Sequence, residues 1–428
     1  MEVNQDKLER IKTAGKATKL RHSKMSCKVF QTKVDISSLS SSTIDKLNRL
    51  FIEAKWIYNA MLSSKDVNKY DTKSKTVKVK TSRKNEEETF EEREINSLSS
   101  QMKQSIRARL FSNLRSLKAL KAKGFRTGKL KYKSSVKVVP LVQNNITFRI
   151  FRNSKRISIQ GLKKPLKVTG LNQIPKNAEI ACASLRKSGN DFFIDVTCYL
   201  QKEEKFVPDK SIGIDFGCES QLTLSNGIKI KYNLPVSERT RKVDQKIARS
   251  IKCHPKSRTR NREKLYAKRQ KSFDKTSNRK KDVKNKIVHI LTNNYRNIAF
   301  QDESLGFWQV KHGKKSNGTA LGSVISDLKH KSVNPMVVEK WYPSSQLCSG
   351  CGGRQKLRLN DRTYICPSCG LSIDRDVNAA INLLTEGTKN SKSKIPTERR
   401  EFKPEETVTS AETAIFERIP FVKVSYSL

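Results

Sequence analysis

Apolar and polar residues follow two patterns along this chain, which separate strand-like from helix-like segments. The segment CKVFQTKVDI alternates apolar and polar positions and predicts a strand. Apolar residues then recur at helical spacing from Leu47 to Met61, and again from Met102 to Leu117. The stretch 63–94 between them is polar and rich in charge. This order predicts one strand followed by a small lobe of helices.

Short alternating segments dominate the next part of the chain, from Gly128 to Glu203. They include ITFRIF, RISIQG and LKVTG, each long enough for one strand. The last of them, SLRKSGNDFFIDVTCYL, carries a Ser188-Gly189-Asn190 turn signal between two strands. We interpret this region as a β-barrel or β-sandwich.

The second half of the chain mixes strands and helices. SIGIDFGCESQLTLSNGIKI predicts a hairpin, NIAFQDE and VVEKWYP predict two further strands, and DVNAAINLL predicts a helix. Beyond Thr385 the composition turns to Ser, Thr, Glu and Lys, which predicts a mobile tail. The whole pattern is that of an α+β protein of several domains.

Charge changes this picture, because 88 Lys and Arg residues stand against 41 Asp and Glu residues and leave a net charge of +47. Such a surface repels itself unless a polyanion covers it, and nucleic acid is the polyanion that Lys and Arg bind with a gain from counterion release. The basic helical stretch from Arg239 to Lys286 is too polar for a core element and is expected to lie against phosphate. A ribosome-associated protein and a solvated basic surface remain open at this point.

The sequence also bears on the location of the protein. No apolar stretch approaches the roughly 20 residues of a membrane span, and the N-terminal residues lack the apolar centre of a signal peptide. Nine cysteines, four of them in paired CxxC spacing, fit a reducing compartment with metal ligation better than a disulfide framework. We therefore expect an intracellular protein.

Four cysteines late in the chain predict a structural zinc site. Cys348, Cys351, Cys366 and Cys369 form two CxxC pairs, and neighbouring glycines supply the turns that let paired thiolates face one ion. Four thiolates close the coordination sphere, so the zinc is expected to hold a ribbon together and not to react. A redox role for either CxxC pair is the weaker alternative.

Acidic residues at three separate points are candidate ligands of Mg²⁺. Asp215 lies in the apolar strand IGIDFG, where an unpaired charge needs a compensating cation, and Gly213 and Gly217 beside it would admit a nucleic-acid backbone. Asp302 and Glu303 end the strand NIAFQDE. A turn cap at Asp215 and a solvated strand end at 302–303 are the alternatives.

The third point is IDRDVNAAINLL, where Asp374 and Asp376 precede an alanine-rich helix. Helix capping is the plain structural interpretation of these two acids. Taken together, however, carboxylates that converge from several elements of a strongly basic protein are typical of a two-metal nuclease.

With these motifs in hand, the chain resembles the TnpB family of transposon-encoded RNA-guided nucleases, relatives of the compact type V CRISPR (Cas12-like) effectors. The resemblance covers roughly residues 25–385. It rests on EAKWIYNAML, GKLKYKSS, IQGLKKPLKVTGL, GIDFG, FQDE, CSGC, CPSCG and DRDVNAAINL. The most specific piece is the cysteine ribbon followed at once by DRDVNAA.

The resemblance implies that the catalytic acids are Asp215, Glu303 and Asp376, which would hold two Mg²⁺ ions. The middle acid departs from the family pattern, because most members have Glu-Asp-Leu at this strand end and this chain has Gln301-Asp302-Glu303. A shift of two residues preserves the face of a strand, and we therefore assign the role to Glu303 and not to Asp302.

The fold that the resemblance implies is a β-barrel (wedge) domain with an inserted helical recognition lobe, then a RuvC (RNase H-like) nuclease domain with an inserted four-cysteine zinc ribbon. The expected segments are an N-terminal arm with the first barrel strand (1–41), the helical lobe (42–126), the β-barrel (127–205), the first part of the nuclease domain (206–344), the zinc ribbon (345–371), the last part of the nuclease domain (372–385) and a flexible tail (386–428).

The implied function is that of an RNA-guided DNA endonuclease, one monomer for each guide RNA. It would bind a structured guide RNA, recognise a short motif beside the target, and cut DNA by Mg²⁺-dependent phosphodiester hydrolysis. Two alternatives are a guide-dependent DNA-binding repressor that no longer cuts, and an RNA-binding zinc-ribbon protein with a structural role only.

Overall fold

The computed structural model describes residues 2–64, 66–81, 89–202, 206–255, 259–303, 305–358, 360–390 and 410–426. The chain forms two compact units, Met1–Glu203 (unit 1) and Glu204–Leu428 (unit 2). No helix of the described residues is long and apolar enough to span a membrane.

Unit 1 combines three helices with a large antiparallel sheet. Its helices are α1 (Glu2–Ser23), α2 (Ser41–Ser63) and α3 (Ser100–Ala122), and its strands are β1 (Met25–Val34), β2 (Thr76–Lys80), β3 (Phe90–Glu94), β4 (Val138–Leu141), β5 (Phe148–Phe151), β6 (Arg156–Ile159), β7 (Leu166–Thr169), β8 (Glu179–Ser188) and β9 (Asp191–Gln201). Seven of these strands form one sheet in the order β4-β8-β9-β1-β7-β6-β5, and β2 with β3 forms a separate hairpin.

The sheet of unit 1 is close to the barrel that the sequence predicts. Every pairing in it is antiparallel, and among the described residues the edge strands β4 and β5 do not pair with each other. The helices α2 and α3 share one hydrophobic core with the sheet, since Leu47, Met102, Val139 and Ile194 belong to the same buried cluster. The predicted helical lobe is therefore packed into unit 1, and the stretch predicted as a polar connection contains the hairpin of β2 and β3.

Unit 2 is built on a mixed sheet with helices around it. Its strands are β10 (Ser211–Phe216), β11 (Leu222–Leu224), β12 (Ile228–Tyr232), β13 (Asn297–Gln301), β14 (Asn334–Val338), β15 (Thr363–Ile365), β16 (Ser372–Asp374) and β17 (Val422–Tyr426), and its helices are α4 (Glu238–Cys253), α5 (Arg260–Asn294), α6 (Leu305–Thr319), α7 (Leu321–Lys331), α8 (Arg375–Asn390) and α9 (Ser410–Glu417). The main sheet runs β14-β13-β10-β11-β12-β17, and β15 pairs with β16 in a small hairpin.

Strand directions divide the main sheet of unit 2 into two halves. β10 is parallel to β13, and β13 is parallel to β14. On the other side, β10, β11, β12 and β17 pair antiparallel in succession. Because β10, β13 and β14 are parallel, their carboxyl ends meet at one edge of the sheet.

The two faces of β10 have different partners, as expected from the alternation of side chains along a strand. Ile212, Ile214 and Phe216 belong to the main core of unit 2. Gly213 lies on the opposite face, where α8 comes so close that a Cβ at this position would be 2.0 Å from the carbonyl oxygen of Ala380. Asp215 follows Gly213 by two residues and therefore faces the α8 side.

Small residues along α8 permit this approach. Ala379 and Ala380 are buried, and a Cβ at Gly387 would lie 2.9 Å from the Cβ of Ala299 on β13 and 3.1 Å from that of Met336 on β14. The helix thus crosses β10, β13 and β14 with almost no side-chain spacer. The role that the sequence suggested for Gly213, admission of a nucleic-acid backbone, is wrong, because the backbone that approaches it belongs to α8.

The basic stretch 239–286 forms two helices and not one. α4 and α5 are separate helices with His254 at the end of α4, and buried Arg262 of α5 donates to the carbonyl of His254 at 2.7 Å. The first part of the stretch is mostly exposed, whereas Val283, Ile287 and Leu291 of α5 join the core of unit 2.

The prediction of a flexible tail over 386–428 is wrong for the part of the tail that the structure describes. Residues 386–390 complete α8, α9 follows at Ser410–Glu417, and β17 pairs antiparallel with β12 over five residues. Phe416 and Ile419 are buried in the main core of unit 2. Burial of these apolar side chains and the hydrogen bonds of β17 offset the loss of chain entropy on ordering. The prediction was based on the polar composition of the tail and did not take these interactions into account. Residues 391–409 lie outside the described residues.

We predict that Gly213→Ala destabilises the protein. The added methyl group would overlap the Ala380 carbonyl, and overpacking of this kind costs about 1–3 kcal/mol. The expected result is a thermal unfolding midpoint several degrees lower, measured by calorimetry. Gly306→Ala is the matched control in unit 2, because a Cβ there meets nothing within 4 Å. A Gly213→Ala variant as stable as the control would contradict the close packing of α8 on β10.

Candidate active site and metal centre

Asp215 lies at the carboxyl end of β10, one residue before the strand ends, and is partly exposed to a cleft. Desolvation by burial is the main cause that raises the pKa of Asp215 well above its ordinary value, and the carboxylates of Asp376 and Glu303 raise it further. The guanidinium of Arg375 opposes them. Asp376 and Glu303 line the same cleft as Asp215.

Glu303 and Asp302 are separated by the structure although they are adjacent in sequence. β13 ends at Gln301, and the chain turns there, with the Glu303 N–H donating to the Gln301 carbonyl at 3.0 Å. Asp302 is exposed, and Lys329 donates to its carboxylate at 2.5 Å. Glu303 is partly buried in the cleft, and desolvation together with the charge of Asp302 raises its pKa.

Asp374 and Asp376 have different positions around the start of α8. The Asp374 carboxylate accepts from the backbone N–H groups of Asp376 at 3.0 Å and Val377 at 3.2 Å, so that it caps the helix. It also accepts from Lys229 at 2.6 Å, in an ion pair largely shielded from solvent. Asp376, one residue into the helix, lies in the cleft, and its carboxylate is 3.4 Å from the guanidinium of Arg375. Helix capping is thus the role of Asp374, whereas Asp376 lines the cleft.

The cleft that collects Asp215, Glu303 and Asp376 has a volume of about 540 Å³ and lies entirely within unit 2. Its acids come from the end of β10, from the turn after β13 and from the first turn of α8. Lys340 and Arg375 are the cationic residues that affect these acids, since Lys340 lowers the pKa of Glu303 and Arg375 lowers that of Asp215. Burial and mutual repulsion nevertheless dominate, and both pKa values end above their ordinary range.

The carboxylates in this cleft fit divalent cations that bind through oxygen. Hard cations such as Mg²⁺ prefer carboxylate ligands, and a bound cation would remove the repulsion that raises the pKa of Asp215. Asp215, Glu303 and Asp376 are the residues of this cleft that would hold such a cation.

The four predicted zinc ligands come together at one point. The Sγ atoms of Cys348, Cys351, Cys366 and Cys369 all lie within 4.8 Å of one another, and the Cys348–Cys369 and Cys351–Cys366 pairs are each 3.6 Å apart. Zn–S bonds of about 2.3 Å at tetrahedral angles put sulfurs about 3.8 Å apart. The sulfur positions therefore fit zinc without rearrangement.

Backbone geometry accounts for this arrangement of thiols. Gly352 and Gly370 donate to the carbonyls of Cys348 and Cys366, closing one tight turn after each CxxC pair, and both glycines have positive φ. The backbone N–H of Cys369 is the main group that lowers the pKa of Cys366 to about 6. This donor favours the thiolate form of Cys366, which is the form of cysteine that binds zinc.

Two asparagines of α8 connect the cysteine ribbon to the active-site helix, and the sequence patterns had not singled them out. Asn378 is fully buried, accepts from the Ser349 N–H at 2.9 Å and donates to the Leu347 carbonyl at 2.7 Å. Asn382 donates to the carbonyls of Ser344 and Leu347, both at 2.8 Å. A polar residue every four positions on an otherwise apolar helix face is the signal that could have identified them.

Three comparisons relate this chain to known proteins. Residues 326–383 match the family model described as the TNB domain of Cas12f1-like proteins. A protein of Streptomyces pristinaespiralis named "Putative RNA-guided DNA endonuclease" is 28% identical over 273 residues, which cover 60% of this chain and 65% of that protein. "TnpB-like protein L79" of Acanthamoeba polyphaga mimivirus is 29% identical over 203 residues, 42% of this chain and 38% of the viral protein.

A solved structure shows a weaker likeness. The cryo-EM structure of a Cas12f1–sgRNA–target DNA complex aligns with a TM-score of 0.38 and 16% identity, over 66% of this chain and 70% of that one. The alignments to the two sequence relatives span less than two thirds of those proteins. The family model and the sequence relatives confirm the resemblance to the TnpB and Cas12-like proteins that the motifs predicted.

We predict that Asp215→Asn stabilises the metal-free protein at neutral pH. The folded-state pKa of Asp215 is raised, so its ionisation opposes folding, and its stabilising contribution is lost as pH rises through that pKa. With EDTA, each ~1 kcal/mol gained would raise the midpoint of a unit this size by about 2–4 °C. The advantage should shrink toward acidic pH, and Mg²⁺ should stabilise the wild type more than the variant.

Asp302→Asn is the matched control for this measurement, because it neutralises an exposed aspartate that already has Lys329 as partner. It should give no stabilisation. A wild type with EDTA that is as stable as Asp215→Asn at every pH would show that Asp215 carries no unfavourable charge.

We also predict one zinc ion per chain, lost in the double variant Cys366→Ser, Cys369→Ser. Removing one ligand from each Sγ pair leaves too few thiolates to hold the ion. Elemental analysis measures the zinc, and Cys253→Ser, at an exposed cysteine outside the cluster, is the control. Zinc retained by the double variant would overturn the ligand set.

Proposed function

The chain is a relative of the TnpB-like proteins, and from this premise we propose that it is an RNA-guided DNA endonuclease. It would bind a structured guide RNA, recognise a short motif beside the target, and cleave DNA by Mg²⁺-dependent hydrolysis of phosphodiester bonds. The observation that carries the proposal is the convergence of Asp215, Glu303 and Asp376 from three elements into one cleft.

The architecture of unit 2 supports a RuvC-like, and thus RNase H-like, nuclease domain. Its central strands run β12-β11-β10-β13-β14, with three antiparallel strands followed by two parallel ones. This is the strand order of an RNase H-like sheet. Asp215 lies at the carboxyl end of β10, and Glu303 follows the carboxyl end of β13. In open sheets with parallel strands, this edge is where ligands bind. We assign the nuclease domain to 206–344 and 372–390, together with α9 and β17, with the zinc ribbon at 345–371 between the first two segments.

The residues of the cleft would have different roles in hydrolysis. Asp215, Glu303 and Asp376 would hold two Mg²⁺ ions, which supply activation of water and stabilisation of the leaving oxygen. Arg375 and Lys340 place positive charge beside the acids, where the phosphate of a DNA strand would bind. Asp374 fixes the first turn of α8 and thereby the position of Asp376.

Unit 1 and the helices α4 and α5 are the proposed surfaces for nucleic acid. The net charge of +47 would be offset by the phosphates of a guide RNA and its target. We assign guide binding and recognition of the flanking motif to the sheet of unit 1 (1–41 and 127–205) and its packed helices (42–126), one chain for each guide. The protein would act in the compartment that holds the DNA, the cytoplasm of a prokaryotic cell.

A two-step experiment tests the proposal. RNA that copurifies with the chain is sequenced first, and its variable end is then replaced by a sequence that matches a DNA library with random flanking positions. Cleavage that follows the new guide, requires Mg²⁺ and selects a flanking motif is the expected result. Guided binding without cleavage would favour the repressor, and neither binding nor cleavage would favour a structural RNA-binding protein.

We predict that Glu303→Ala abolishes cleavage and that Asp302→Ala retains most of it. Glu303 lies in the cleft with Asp215, whereas Asp302 is exposed and paired with Lys329. Guided DNA binding should be unchanged in both, because the acids hold metal and do not contact the guide. Loss of a hydrogen-bond partner of a metal ligand costs about 10–100-fold in activity, so loss of a metal-binding acid itself is expected to cost about 100-fold or more in single-turnover rate. Equal loss in the two variants would contradict the assignment of Glu303.

A further inference from the structure

Trp341 lies at the cleft and is 79% exposed, which is unusual for the largest aromatic side chain. The other two tryptophans are not comparable, since Trp56 is only 6% exposed and Trp308 packs against the core of unit 2. An isolated exposed apolar residue needs no explanation by itself. The exposure of Trp341 does need an explanation, because hydrogen bonds order the backbone of the turn that carries it.

Trp341 occupies the middle of a rigid turn. The Tyr342 N–H donates to the Glu339 carbonyl at 3.2 Å, which closes a turn with Lys340 and Trp341 at its centre. The buried amide of Gln301 donates to the carbonyls of Glu339 at 3.1 Å, Lys340 at 3.0 Å and Tyr342 at 2.8 Å. Backbone on both sides of Trp341 is thus fixed to the end of β13, two residues before Glu303.

Lys340 relates the indole ring to the active-site acids. Its Nζ lies 4.8 Å from the centroid of the Trp341 ring, and Lys340, Trp341 and Glu303 all line the same cleft. One ammonium group therefore lies beside the exposed ring in the cleft that contains a proposed metal ligand. Arg354 and Arg358 line the same cleft.

A rigid aromatic face beside cations is the combination that binds single-stranded nucleic acid, in which bases stack on aromatic rings and phosphates bind basic side chains. A protein partner is the less suitable occupant, because the same cleft contains the acids that need Mg²⁺ and the cations that attract phosphate. The backbone of the turn that carries the ring is already ordered, which lowers the entropic cost of stacking.

We propose that Trp341 is a base-stacking residue, which positions a nucleobase of the DNA strand next to the phosphate that is cut, while Lys340 contacts the backbone of that strand. This inference rests on the proposed function and adds a positioning residue to it. The face of the indole accepts any base, so the contact would orient the strand without selecting its sequence.

The first measurement is independent of cleavage. Tryptophan fluorescence of the RNA-bound protein, with Ca²⁺ in place of Mg²⁺, is titrated with single-stranded DNA of about six nucleotides, near the shortest site sizes of single-strand binders. Stacking should quench the emission of the wild type, and Trp341→Phe should lose that part of the quenching. Quenching that is the same in both proteins would overturn the proposal.

The second measurement is single-turnover cleavage of a guide-matched DNA. Trp341→Ala should cut roughly tenfold more slowly or worse, because base–aromatic stacking is lost, whereas Trp341→Phe should stay near the wild-type rate. Phe421→Ala, at an exposed aromatic residue of unit 2 outside the lining of this cleft, should also stay near it.

The outcomes separate the two hypotheses. A Trp341→Ala variant that cuts at the wild-type rate, or a Trp341→Phe variant as slow as Trp341→Ala, would overturn the stacking role while leaving the nuclease intact. Quenching that depends on Trp341 in a protein that cuts no DNA would support the stacking site and remove the proposed function.

Discussion

The contact between α8 and β10 is the constraint on which the rest of unit 2 depends. Gly213 lets the backbone of α8 lie directly against the strand, and Gly387 does the same over Ala299 and Met336 farther along the helix. Close packing of this kind fixes the position of the helix along the strand. The first turn of α8 therefore lies beside Asp215, near the carboxyl end of β10. The same helix anchors the cysteine ribbon through Asn378 and Asn382. One packing contact thereby fixes the ribbon and the position of the third acid together.

That arrangement is unfavourable for the protein without metal. Desolvation and three neighbouring carboxylates, those of Asp376, Glu303 and Asp374, raise the pKa of Asp215, and Arg375 only partly opposes them. Other partly buried aspartates of unit 2 have cationic partners: Asp327 pairs with Lys284 and Lys331, and Asp374 pairs with Lys229. A protein with twice as many basic as acidic residues could have paired Asp215 as well. A carboxylate whose burial and acidic neighbours outweigh its cationic neighbour is the pattern expected where an external cation completes the site.

Local patterns predicted the parts of this fold that local interactions determine. Alternation identified β1, helical spacing identified α2 and α3, and the spacing of Cys348 to Cys369 identified the cluster of thiols. Local patterns could not predict long-range packing. The residues near Gly213 give no indication of its contact with Ala380, some 170 residues later, and β17 joins the sheet by pairing with the edge strand β12. The packing of α2 and α3 into the core of unit 1 was missed for the same reason.

The assignment of Glu303 from the sequence assumed that the strand continues to this residue, and the structure differs on this point. A shift of two residues keeps one face only where the strand continues. β13 ends at Gln301, and a turn then carries Glu303 into the cleft while Asp302 points to Lys329. Gln301 stands where most relatives are expected to have the glutamate, and its amide instead fixes the turn that presents Trp341. The departure from the expected family pattern thus places the proposed metal-binding acid two residues beyond the amide that orders the turn carrying Trp341, at the rim of the cleft.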